Sequence, residues 1–487
     1  MRILSGIIIF LLFSNPLLAQ DSSLFWLDKN SIIQEAKRNS PTINRIRSSL
    51  LSKKLDKNQY LENFQTRLEG DVSYFKSNED SFIEFSPTVS PVNNFSLGVA
   101  KDFTTGMSFG VFNNHYKRDY QTYGVDSRNS ISLEFTMDLY KDFFGSTSKS
   151  KISYLNYEEQ AAQIQKDIDK EIFLITLVRI YFDIILNQEA INVSRDILEI
   201  YKKQELNTKK RYKNGIADLS EVKRRSSQLA SKRVDIFNLV NRQENLILDL
   251  KKLLPSIANK EIKLLDYNID ELEEYFSTIT SNIRSKDKVP MDYTYYDDLV
   301  KLVEKSYHAQ KKFTKNYSDI DLEFYSQFNH FGKDDSSRGA VDNNFGNAAD
   351  SYEVGLRLKA PIGRTKTNSK SLQLSINQAN YLATKKENLA KIAAYHTQSI
   401  KNLELLRKSS IYQSENSKDL QQILRLSQRK FRQARIPIKD LIEDQNLYLQ
   451  SILRELEIKM VVINQILDYM AVFTNTPFAL SNKNNEE

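Results

Sequence analysis

The residues able to do chemistry are arranged here in a way that argues against an enzyme. The four histidines, at 115, 308, 330 and 396, stand far apart with no metal-ligand spacing between them. There is no cysteine, which excludes disulfides, thiolate metal sites, a thiol nucleophile and a lipidated N-terminal cysteine. No glycine-rich phosphate loop followed by Lys-Ser/Thr occurs, and no nucleophile elbow. Carboxylates are plentiful, but they sit in helical stretches, where they pair with bases three or four residues away. The expectation is a chain with no catalytic residues, no metal and no cofactor. Lysine and arginine are interleaved with acids, and the net charge of +7 is mild for 487 residues, so no basic stripe points to nucleic acid.

These side chains are carried by a chain with unusually few breakers, 13 glycines and 9 prolines. Residues 1–19 read as a secretory signal peptide. Arg2 supplies the positive start, a short apolar run reaches Phe13, and Ala19 offers a small residue at the cut. Past that point no run reaches the roughly 18 uncharged residues of a membrane helix. An exported chain of this kind is periplasmic, extracellular or an outer-membrane barrel.

Two similar halves follow. The first, residues 20–255, holds a helix, strands over 66–141, a long helix over 147–212 and another over 218–253. A polar segment, 256–290, separates it from the second, residues 291–475, with a helix, strands over 321–362, a long helix over 365–432 and a last one over 437–473. Residues 476–487 read as a disordered tail. The apolar positions of the first long helix, Ile164, Ile168, Ile172, Ile175, Val178, Phe182 and Ile185, advance by threes and fours, as in a coiled-coil seam. A helix of that length reaches about 100 Å and can pack only as a rod against other rods.

The strand regions have a period of two. Ile131, Leu133, Phe135 and Met137 alternate with Ser132, Glu134 and Thr136; Tyr352, Val354, Leu356 and Leu358 alternate with Glu353, Gly355 and Arg357. A soluble sandwich and a membrane barrel both produce this pattern. The full charges on the polar face and the flanking rods favour the barrel. One chain has too few strands to close a wide barrel, and an open edge cannot stand in lipid, so several copies must share it.

Four segments then resemble the TolC-type outer-membrane efflux proteins, and the likeness covers nearly the whole mature chain. They are the opening helix from Ser31 to Pro41, the helix break from Arg211 to Val222, its counterpart from Lys430 to Leu441, and the strand exit Pro361-Ile362-Gly363. The resemblance implies an α+β fold with two internal repeats. A 12-stranded transmembrane β-barrel would be shared by a homotrimer and continued by an α-helical coiled-coil tunnel, with an equatorial domain formed in part by 256–290. It also implies a place in the outer membrane, contact with its lipid, docking to a periplasmic adaptor and an inner-membrane transporter, and passive conduction in tripartite efflux or type I secretion.

Residue by residue, the resemblance places Tyr212, Gly215, Leu219, Glu221, Phe431, Ala434, Arg435, Pro437 and Ile438 at the gate and adaptor contact. Asp440 and Glu443 fall on acidic positions lining the closed entrance; three apart, they share a helix face. Threefold symmetry would make each a ring of three carboxylates selective for cations. Phe431 stands where the family prototype has a tyrosine and Ile436 where it has an arginine, so Glu221 needs another base, Arg435 being one choice. The hairpin over 94–118, turning at Thr104-Thr105-Gly106, exceeds the two strands per half of the prototype. A porin or adhesin would account for the strands without the rods, and a periplasmic coiled coil for the rods without the strands.

Overall fold

The long helices form where breakers are missing: neither glycine nor proline occurs in 146–213, 219–253, 365–432 or 438–472, whereas the strands and turns contain both. The computed structural model describes residues 24–77, 89–120, 124–265, 278, 281, 283, 294–316, 320–360, 365–433 and 435–473. The expected signal peptide, most of segment 256–290, the Pro361–Gly363 exit, Ala434 and the C-terminal tail lie outside them.

Strand β1 (Leu24–Leu27) leads into α1 (Lys29–Asn39) and α2 (Pro41–Glu62). Ser40 separates the two helices, and its hydroxyl accepts from the Thr42 amide while Pro41 fills the first helical position. Strands β2 (Thr66–Phe75), β3 (Val89–Phe103), β4 (Met107–Tyr120) and β5 (Gly124–Asp138) follow. Then come the 68-residue rod α3 (Ser146–Lys213) and α4 (Leu219–Leu253). After β6 (Glu261–Leu264) the chain forms α5 (Tyr295–Asn316), β7 (Asp321–Asp334), a short helix α6 (Ser337–Gly346) and β8 (Ala349–Lys359). It ends with a second 68-residue rod, α7 (Thr365–Arg432), and α8 (Ile438–Val472). Both α4 and α8 have 35 residues, and α2 and α5 each have 22.

The helices lie side by side. Toward the sheet, α2 packs on α3, α3 on α5 and α5 on α7; at the far end α4 packs on α3, α3 on α8 and α8 on α7. The main core sits between these regions. The middle of α3, from Phe173 to Ile197, meets the end of α8 at Ile463, Ile466, Leu467 and Phe473, with Ile32 and Ala36 of α1 beneath. Strand β1 joins this core by parallel pairing with β6, from Leu24↔Glu261 to Leu27↔Leu264.

The sheet order is β2-β3-β4-β5-β7-β8, antiparallel throughout. The two strands of the 94–118 hairpin are thus full members, inserted between β2 and β5. The expectation of a 12-stranded barrel assumes four strands per chain, whereas one sheet here holds six. No helix among the described residues is long and apolar enough to cross a membrane.

A charge is built into the helical core. Asp183 on α3 has its carboxyl held above the usual range by burial, partly offset by the nearby Arg242, Asn464 and Arg179. A carboxyl whose folded pKa is raised weakens the fold once pH exceeds that value, and the penalty disappears below the ordinary value. Asp183→Asn is therefore expected to raise thermal stability at pH 7, the gain shrinking as pH falls toward 4 in melts of the purified protein. Ile185, fully buried two residues further on, is expected to cost about 2–5 kcal/mol on truncation to Ala in the same measurement.

Candidate channel lining and helix-turn tips

Directly opposed residues in antiparallel strands share a face, so the register identifies both faces of the sheet. One row crosses all six strands: Leu68, Val99, Val111, Leu133, Phe328 and Tyr352. Every member is apolar, and their exposure runs from 38% to 84%. Among the described residues nothing covers this belt, which is what a wall solvated by lipid requires.

The opposite face is polar and hydrogen-bonded across strands. The Ser96 hydroxyl donates to Asn114 Oδ1 at 2.6 Å, Asn114 Nδ2 to Ser132 Oγ at 3.0 Å, and Ser132 Oγ to Asn329 Oδ1 at 2.6 Å. Gln327 Nε2 extends the chain toward Asn329 and Glu134. Glycines on this face let aromatic rings lie flat. Phe112 covers Gly98 and Gly110, and Tyr325 covers Gly355, so closely that a Cβ at any of the three would clash with the ring.

Beyond the apolar belt the first face turns polar, with Asn113, His115, Asn129 and His330. Helix α6 packs there against β5 and β7. It forms inside the polar stretch 332–349, within the region 321–362 for which strands are expected. Its start was legible: the Ser336 hydroxyl accepts from the Gly339 amide at 3.0 Å, a cap three residues ahead.

At the opposite end of the molecule, both rods terminate in tight turns. After α3, Ile216 N–H donates to Arg211 O at 2.9 Å and Gly215 N–H to Tyr212 O at 3.0 Å, with Gly215 at φ +70°. This is a Schellman closure, which needs a left-handed residue at the position glycine occupies. After α7, Arg435 N–H donates to Lys430 O at 2.9 Å, the equivalent bond, and Pro437 in extended conformation precedes α8. Lys210, Arg211 and Lys213 end the first rod and Arg429, Lys430 and Arg432 the second, cations placed favourably at helix C-termini.

The turn residues are accessible. Tyr212, Ile216 and Leu219 are exposed, as is Phe431. Glu221 pairs with Arg211 of its own turn at 3.7 Å, which supplies a base that the sequence comparison of motifs could not name. Arg435 is exposed at the second turn. The Ile438 backbone opens α8, and Asp440 lies in its first turn, where the helix dipole favours an anion. Asp440 and Glu443 are both exposed, and neither has an ion-pair partner among the described residues. No group of three potential metal ligands occurs among the described residues.

An exposed apolar belt on one face of the sheet, a hydrogen-bonded polar opposite face and paired rods ending in capped turns characterise the fold. Solved outer-membrane channels share it over almost their whole length. The outer-membrane protein VceC of Vibrio cholerae matches with a TM-score of 0.65 at 12% identity, covering 91% of this chain and 95% of that one. The Campylobacter jejuni CmeC outer-membrane channel matches with 0.67 at 11%, covering 92% and 85%. The open state of the Neisseria gonorrhoeae MtrE outer-membrane channel matches with 0.57 at 13%, covering 92% and 89%. No protein-family profile and no curated protein matches the sequence. In its combination of long helices and an antiparallel sheet the fold agrees with the resemblance to TolC-type proteins, with six strands in the sheet where that resemblance implied four.

Gly215 tests the local account. Gly215→Ala forces a left-handed backbone on a residue with a Cβ, at a cost of about 1–2 kcal/mol. Faster hydrogen exchange at the amides of Gly215 and Ile216, with the exchange of core helix amides unchanged, is the expected result.

Proposed function

We propose that this chain is the outer-membrane exit duct of an export assembly, conducting passively what an inner-membrane transporter delivers. The observation that carries the reading is the six-residue apolar row from Leu68 to Tyr352, exposed across a sheet whose inner face is polar. In this reading the row faces outer-membrane lipid and the Ser96–Asn114–Ser132–Asn329 face lines water.

Trimerisation follows from what the single chain leaves open. One flank of the molecule is formed by β2 with α2 and α4, the other by β8 with α7. Apolar residues are exposed on both: Leu51 and Leu55 on α2 and Phe237 on α4, against Leu372, Leu405 and Tyr412 on α7. These flanks meet between copies, closing the barrel above and the helical tunnel below. The equal lengths of α3 and α7, and of α4 and α8, support two internal repeats, so a trimer would present six comparable helix pairs. Segment 256–290 belongs to an equatorial collar around the core.

The turns are the periplasmic tips. Tyr212, Gly215, Leu219 and Glu221 from one, with Phe431, Ala434, Arg435, Pro437 and Ile438 from the other, form the gate and the contact for a periplasmic adaptor. Asp440 and Glu443 line the entrance, each as a ring of three carboxylates that attracts cations.

Two measurements test this. Deleting the gene is expected to sensitise cells to exported toxic compounds, with re-expression restoring resistance; unchanged sensitivity to a broad panel would argue for a structural or adhesive protein. In planar bilayers, Asp440→Asn with Glu443→Gln is expected to weaken block by polyvalent cations at least tenfold. Equal block in the double variant would remove both residues from the pore.

A further inference from the structure

The hairpin β3–β4 contributes Val99 and Val111 to the apolar row, yet the proposed duct leaves open how many strands each copy adds to its wall. Its two strands have 15 and 14 residues, longer than the roughly 9–11 that cross a bilayer. Its position is an insertion into one half only: residues 63–145 separate α2 from α3, against 317–364 between α5 and α7.

We propose that this hairpin is part of the membrane wall, so that three copies close an 18-stranded barrel through contacts between β2 of one copy and β8 of the next. The proposal rests on the trimeric reading above and goes beyond it. Three independent observations carry it.

First, both faces run through the hairpin without interruption. Val99 and Val111 continue the apolar row between Leu68 and Leu133, and Ser96 and Asn114 start the polar chain that reaches Asn329. A hairpin lying outside the barrel would have no use for a lipid face in register with the wall.

Second, its turn is fitted to the base of the sheet. Gly106, at φ +73°, donates to Phe103 O at 3.0 Å, and its carbonyl accepts from Asp138 N–H at 2.8 Å. Gly145, at φ +76° before α3, lies so close to Thr104 that a Cβ there would overlap the Thr104 carbonyl. The turn and the start of the rod therefore interlock through two glycines.

Third, the widths agree. Four helices abreast at 8–10 Å spacing span about 36 Å per chain. Six strands about 4.8 Å apart and tilted by about 40° span about 38 Å, whereas four would span about 25 Å. Six strands carry the tunnel bore into the membrane without narrowing it. Because six is even, β2 and β8 run antiparallel, so neighbouring copies meet in the same pairing as strands within a chain. The exposed backbone edges of both strands are thereby satisfied, as lipid demands.

The cysteine-free chain gives a clean background for testing this in native outer membranes. Leu68→Cys with Val99→Cys is expected to form an intrachain disulfide, and Leu68→Cys with Leu133→Cys none. Leu68→Cys paired in turn with Val354→Cys, Leu356→Cys and Leu358→Cys is expected to give covalent trimers in at least one combination. Electron microscopy of the unsubstituted protein is expected to resolve eighteen strands. A β2–β5 disulfide with twelve resolved strands in a trimer would overturn the 18-stranded wall and leave the duct intact. A monomer without any interchain disulfide would overturn both.

Discussion

Backbone amides and carbonyls cannot be left unpaired in hydrocarbon, and in the proposed duct the rest of the molecule is organised around that constraint. The six-stranded sheet satisfies every internal strand but leaves β2 and β8 with one open edge each. A soluble protein would cover such edges with a helix, a loop or charge. Here the long helices run away from the sheet as rods and α6 packs on β5 and β7, so among the described residues no helix covers either edge. The rods in turn expose apolar residues on the flanks below those same edges, so the association proposed between copies satisfies wall and tunnel together.

The polar inner face solves a second problem. In the proposed duct these serine, asparagine and glutamine side chains face the lumen, where they are stabilised by bonding to each other across strands. Phe112 and Tyr325 lie flat on glycines of the same face. These contacts join β3 and β4 to β5 and β7, so the inserted hairpin shares in the rigidity of the sheet.

The class of the fold was legible in the sequence because its signals are long. Rods without glycine or proline, and strands alternating over ten or more residues, leave few alternatives. The capped turn at Gly215 was legible too, since its chemistry is local. What escaped depends on contacts between segments far apart. Helix α6 is short and hides in a polar stretch, although Ser336 marks its start. The pairing of Glu221 with Arg211 needs the return of the chain through the turn. Whether the hairpin joins the sheet or stands beside it is a matter of register, and alternation alone does not reveal which strand is the neighbour. Asp440 and Glu443 stand on one helix face by their spacing, but the charge density around them depends on copies that one chain does not contain.

The absence of helix breakers in α3 has a mechanical consequence. From Ile185 in the packed core to Lys213 at the turn, the rod is a stiff arm about 42 Å long. A tilt of about 5° at its buried fulcrum swings the free end by nearly 4 Å, about the diameter of a methyl group, with every intrahelical bond intact. Small adjustments of Arg179 between Asp183 and its ion-pair partner Asp468 are therefore geared up at the far end, and in the proposed duct the bore there changes while the core hardly moves.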